Sequence, residues 1–131
     1  MRLSRTAMAL AALLVVNVLL VFLLTPLGFE NRPSTALKTV GYVAIGTIFA
    51  GLFLDLASIV LLFRRVRLAS SLAIVASILF FFPILGDRTG SFFSVPIPPV
   101  IDTLEYIFTV VLLATLFLAS KVYRESSPSQ R

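Results

Sequence analysis

An all-α membrane protein, with four transmembrane helices in an up-down-up-down antiparallel bundle and both termini cytoplasmic, is the fold class this sequence predicts. Three observations predict it. Four apolar runs, Ala7–Leu24, Val40–Phe63, Leu68–Leu85 and Ile101–Ser120, are each 18 to 24 residues long. At about 1.5 Å of rise per residue they match the roughly 30 Å hydrocarbon layer of a bilayer. Basic residues collect in alternate breaks between the runs. Finally, 59% of the 131 residues are hydrophobic and 13% are charged, against about 25% charged in soluble domains. A chain this small cannot cover four apolar helices from water, whereas lipid is itself an apolar partner.

The first span, placed at residues 7–25, follows Arg2 and Arg5. A basic start and an apolar run also describe a signal peptide, but 18 residues exceed the 7–15 of a signal core and no small-x-small site follows. The run is therefore expected to be a retained span, with Thr25-Pro26-Leu27-Gly28-Phe29 as a turn leaving the membrane. Pro26, Gly28, Asn31 and Pro33 make the stretch to Thr39 a loop of turn formers.

The second and third spans, at 40–63 and 68–86, are separated by Arg64-Arg65-Val66-Arg67. So short a break makes them neighbours in a helical hairpin. Arg64, Arg65 and Arg67 read as topology markers and lipid-headgroup anchors. After the third span, Gly86–Ser91 reads as a turn. Phe92–Val100 is apolar but carries Pro96, Pro98 and Pro99, so extended or polyproline geometry is expected there. That strip is either a docking site for a partner or lipid, or an apolar segment lying in the membrane surface. The fourth span, at 101–120, ends at Lys121 and Arg124. Residues 1–125 thus form one domain, and 126–131 a short polar tail.

Charge orients the spans. Arg2, Arg5, Arg64, Arg65, Arg67, Lys121, Arg124 and Arg131 fall on one side, eight in all, against Arg32, Lys38 and Arg88 on the other. Lys and Arg in short loops stay cytoplasmic. Tyr42, Tyr106 and Tyr123 fall at the expected interfaces, where an amphipathic ring is at home. The net charge of +5 then answers to anionic lipid, and nucleic acid is not an expected partner.

Chemistry is scarce. The chain has no Cys and no His, which removes thiolate metal sites, thiol redox chemistry, haem ligation and the commonest general base. No catalytic, cofactor or metal site is expected. Asp55 is the exception to a bland interior. It lies nine residues before Arg64, about 13 Å above the cytoplasmic boundary and near the midplane, where a charged residue costs about 2.5–3.5 kcal/mol. No Lys or Arg lies inside the spans to neutralise it, so the neutral acid is the expected form. Counting depth the same way puts Asn17 about 15 Å and Ser77 about 13 Å from that boundary. Asn17, Asp55 and Ser77 are thus expected to form one intramembrane polar layer, with Asp55 donating to Asn17 or Ser77. Thr109 and Thr115 straddle that level on the fourth span.

Thr47, Gly51, Asp55 and Ser58 follow at helical spacing and form the expected packing face of the second span, with Gly46 and Ala50 as a second small pair beside it. Ser70, Ala73 and Ser77 repeat the pattern on the third. Glu105, near the outer end of the fourth span, reads as a snorkelling acid or one stabilised by the helix N-terminus.

Two functions fit this inventory. The favoured one is an accessory or assembly subunit of a larger complex in the cell membrane, working by helix packing with other membrane subunits or with a second copy. The alternative is a small oligomeric proton- or cation-coupled transporter using Asp55. An enzyme is disfavoured.

Overall fold

The computed structural model describes residues 4–30 and 37–126. It contains four helices: α1 (Arg5–Glu30), α2 (Gly41–Leu61), α3 (Val66–Arg88) and α4 (Pro99–Glu125). Each is long and apolar enough to cross a membrane. Arg2, Asn31, Arg32, Pro33, Arg131 and all but the first residue of the expected polar tail lie outside the described residues.

Each helix buries one narrow stripe. On α1 it is Ala7, Leu10, Leu14, Asn17 and Val21; on α4, Ile101, Glu105, Phe108, Leu112, Thr115, Ala119 and Val122. These alternate steps of three and four residues are the spacing of helices packed side by side in a bundle. The stripe of α2 is Gly41, Ala44, Gly51, Asp55 and Ser58, continued by Leu62 just past its end. Outside the stripes, large apolar side chains face outward, among them Phe22, Phe49, Phe53, Val60, Val110 and Phe117. A water-soluble monomer does not expose so continuous an apolar surface. A lipid-exposed bundle does, and the four helices fit a multi-pass membrane protein.

Helix α1 packs on α4 and α2, and α3 on α2 and α4. The core they enclose is layered. One apolar cluster joins Ala7, Leu10 and Leu14 to Leu62, Ala69, Ala73, Ala119 and Val122. A second joins Val21 to Ala76, Phe80, Ile84, Phe108 and Leu112. A third, smaller cluster caps the end of the bundle that carries the 89–98 loop: Phe92 and Phe93 pack with Ala44, Leu37 and Val95.

Three sequence expectations need correction. Helix α1 continues through the expected turn at Thr25–Phe29 and contains Pro26. A spanning helix tolerates proline because neighbouring groups take up the freed carbonyl. The residues Gly86, Asp87 and Arg88 are the last turn of α3 rather than the start of a loop. Only Thr89–Pro98 connects α3 to α4, and Pro99, whose missing N–H costs nothing at that position, begins α4. Finally, the apolar strip is not a surface strip where its rings are concerned. Phe92 and Phe93 are buried. The Phe92 ring lies over Gly86, where any Cβ would collide with it. Its carbonyl accepts from the Lys38 N–H at 2.6 Å, and Leu37 bridges to Phe93. Proline made the loop irregular, as expected, but the two phenylalanines before the prolines find apolar cover inside their own bundle.

Glycine on α2 shows the difference between the two faces. A methyl at Gly51 would sit 2.8 Å from Phe80 Cε1, while at Gly46 it would meet nothing. The second small pair, Gly46 and Ala50, is in fact exposed, and Thr47 is half-buried with its hydroxyl on the Ala44 carbonyl at 2.8 Å. Gly51→Ala should therefore destabilise the bundle in detergent by about 1–3 kcal/mol through overpacking. Gly46→Ala should be neutral or stabilise by up to about 1 kcal/mol. Reversible unfolding in mixed micelles reads both.

Candidate functional site

Between the first and second apolar clusters lies a band of buried polar side chains. Asn17 comes from α1, Asp55 and Ser58 from α2, Ser77 from α3 and Thr115 from α4, each at most 1% exposed. The helical stripes explain their depth. On α1, Asn17 falls between Leu14 of one cluster and Val21 of the other; on α4, Thr115 falls between Ala119 and Leu112. The three residues of the expected layer thus all occupy the bundle interior, but their bonding differs from the expectation.

Asn17 Nδ2 donates to Thr115 Oγ1 at 2.9 Å, and the Thr115 hydroxyl donates to the Val111 carbonyl at 2.7 Å. This short chain ties α1 to α4. Ser77 turns back on its own helix, donating to the Ala73 carbonyl at 2.9 Å. Ser58 donates across to the Ala69 carbonyl of α3 at 2.6 Å. Asp55 receives nothing and gives nothing: neither carboxyl oxygen has a hydrogen-bond partner, and Asn17 Oδ1 is likewise unmatched. The expected bond from Asp55 to Asn17 or Ser77 is absent: the Ser77 hydroxyl is spent on the Ala73 carbonyl and the Asn17 amide N–H on Thr115, and the unmatched Asn17 Oδ1 is not met by the carboxyl. Depth counting found the level of these groups but not which way each one points around its helix.

A second polar group sits at the loop end. Arg88 pairs with Asp102 at 2.7 Å and with Glu105 at 3.4 Å, and its guanidinium stacks over Tyr106 at 4.3 Å. Glu105 is buried, so it is an ion-paired interior acid rather than a snorkelling one. This cluster was missed in the sequence. The available signal was an Arg closing α3 and acids opening α4 at the same level. Of the expected headgroup anchors, Arg64 and Arg65 are exposed. Arg67 is partly covered and lies over the Tyr123 ring at 4.2 Å.

Between these two polar groups is a cavity of about 80 Å³. Its walls are apolar, from Val21, Leu24, Ile48, Ile84 and Phe108, with Phe80 at one end and the Phe92 and Phe93 cap at the other. Thr25, Asp87 and Glu105 supply its polar lining. Among the described residues no group of three or more His, Cys, Asp or Glu side chains is placed to hold a metal ion.

Comparison of the chain with protein-family models, with curated proteins and with solved structures gives no match.

Two stability outcomes follow from the bonding. A buried carboxyl without a partner costs about 1–3 kcal/mol, so Asp55→Leu should raise the unfolding free energy in detergent by a similar amount. A carboxyl that held the bundle together would give a loss instead. The Asn17–Thr115 bond should show a coupling of about 0.6 kcal/mol, and no more than about 1.7 kcal/mol, in a double-mutant cycle of Asn17→Leu and Thr115→Val, the mean and the upper value for interhelical bonds in lipid.

Proposed function

We propose that this chain is a small multi-pass protein of the cell membrane that moves protons, or a small cation, by loading and unloading Asp55, and that it is not an enzyme. The observation that carries the reading is the carboxyl itself, wholly buried among spanning helices with both oxygens unpartnered. An acid kept in that state lowers stability without tying helices together. Ionisable groups inside a membrane bundle are costly and are kept chiefly for what they bind or carry.

The four helices cross the bilayer up-down-up-down with both termini cytoplasmic. Contact register supports the alternation. On α2 and α3, Ser58 meets Ala69 and Gly51 meets Phe80. On α3 and α4, Arg67 meets Tyr123, Phe80 meets Phe108 and Arg88 meets Asp102. In each series one number rises as the other falls. The eight-to-three bias of basic residues supports the orientation.

A second reading, an accessory subunit that works by helix packing, draws on the outward face of α2. Gly46 and Ala50 are exposed there, with Phe49 and Phe53 beside them. The two contact surfaces that the sequence favours for such a role support it less, because Gly51 is covered by Phe80 and the loop phenylalanines by the chain's own cap.

One reconstitution separates the readings. Purified protein in liposomes carrying an internal pH-sensitive dye should dissipate an imposed pH difference. Asp55→Asn, which keeps the shape and removes the exchangeable proton, should slow that flux by about tenfold or more. Equal flux from the variant removes Asp55 as the carrier. Mild detergent extraction from native membrane, followed by sizing, should yield the chain alone or self-associated. A fixed-ratio complex with other polypeptides would favour the accessory reading.

A further inference from the structure

We infer that the loop-end cavity is the entry route to Asp55 and that the Phe80 ring is the barrier that closes it. The inference rests on the reading of Asp55 as an exchanging group, and it is an inference about access, which can be measured without transport.

The cavity wall ends at Val21, Ile48, Phe80 and Phe108. Beyond it lies the polar band. Phe80 is three residues from Ser77 on α3, about 4.5 Å of rise, and Gly51 is four residues from Asp55 on α2, about 6 Å. The phenyl ring of Phe80 bridges these two helices at that level. It is among the largest fully buried side chains, 1% exposed. It lies against the backbone of Gly51, and its far side meets Phe108 with ring centroids 5.4 Å apart. One ring thus lines the cavity on one side and covers the approach to the carboxyl on the other.

Gly51 is the residue that permits this. Any larger side chain there would displace the ring. Above the barrier the cavity carries Thr25, Asp87 and Glu105, a lining able to hold water, as a proton or cation path requires. On the side of the band toward residues 62–65, which connect α2 to α3, the described residues form a packed apolar core. There Leu10, Leu14, Leu62 and Ala73 fill the interior and are each 0% exposed. The contacts of the ring are apolar, so no hydrogen bond holds it in place.

The chain has no cysteine, so a thiol introduced at Asp55 is the sole one present. The full-length Asp55→Cys variant is reconstituted into vesicles of phosphatidylethanolamine and phosphatidylglycerol. It is treated with a membrane-impermeant trimethylammonium methanethiosulfonate from either face. Ser94→Cys, on the exposed part of the loop, marks which face carries the cavity mouth. With Phe80 intact the Asp55→Cys thiol should react slowly. With Phe80→Ala added it should react roughly tenfold faster, because reactivity follows exposure of the thiolate, and only from the face that Ser94→Cys marks. Phe80→Leu keeps apolar bulk but loses the ring and should give a smaller rise. It carries the test if Phe80→Ala fails to fold. Phe53→Ala, two residues from Asp55 but facing outward at 71% exposure, should change nothing.

The inference is overturned if both Phe80 variants react no faster than Asp55→Cys alone, if Phe53→Ala accelerates the reaction equally, or if the gain comes from the opposite face. Faster labelling in a protein that passes no protons would keep the route and remove the transport reading. Asp55-dependent flux with unchanged labelling would do the reverse.

Discussion

Lipid offers a polar side chain no hydrogen bond, and most of this molecule's interior is arranged around that constraint. Backbone groups are satisfied within the four helices, the solution that a hydrocarbon solvent demands. Side chains follow the same rule by two routes. Ser70, Ser71, Ser77, Thr103 and Thr109 return to carbonyls of their own helices. Asn17 and Ser58 reach across, and their bonds pair α1 with α4 and α2 with α3. With no water to squeeze out, such bonds and close packing are what join spanning helices. Asp55 stands against this background. It is the one buried side chain among the described residues whose polar atoms are all unmatched.

What was legible in the sequence, and what was not, follows the same physics. The four spans were legible because solvation by lipid is set by runs of apolar residues, and no tertiary detail changes that. Their ends were less so. Pro26 and Gly86 carry local signals for a turn, yet each sits in a helix that its neighbours extend. Phe92 and Phe93 read as membrane-surface residues since nothing local shows that Gly86 leaves a hollow for a ring. The level of the polar band was legible by counting residues. Its bonding was not, because rotation about each helix decides whether Asn17 meets Asp55 or Thr115, and rotation is fixed by the packing of the whole bundle. The Arg88 cluster failed for a related reason. Its members are 14 and 17 residues apart in sequence and meet only because the loop from Thr89 to Pro98 folds back over the end of the bundle.

The stripe on α3 links these features physically. Ala73, Ser77, Phe80, Ile84 and Asp87 share one buried face. From one end to the other that face packs the break-end core, borders the polar band, closes on Gly51, lines the cavity and carries an acid at the cavity wall. It is capped where Phe92 lies on Gly86. The cap and the barrier are therefore mounted on the same helix, about four turns of rise being enough to run from Ala73 to Asp87. A rotation or slide of α3 moves both at once, and packed helices shift between discrete arrangements more readily than they deform continuously.

Glycine packed by phenylalanine is one of two kinds of join between α2 and α3. Elsewhere α2 and α3 are held by Ser58 on the Ala69 carbonyl, a bond that costs energy to break in lipid. At Gly51 they are held only by ring contact. Dispersion contacts are individually weak, about 0.1–0.2 kcal/mol per atom pair, and none is a directional bond. That ring contact lies about one turn from Asp55, on the side away from Ser58. A bundle that needed only to hold together would gain by closing that place with a polar bridge to the carboxyl. This one leaves the carboxyl unbridged, with the Phe80 ring closing the helix pair about one turn away.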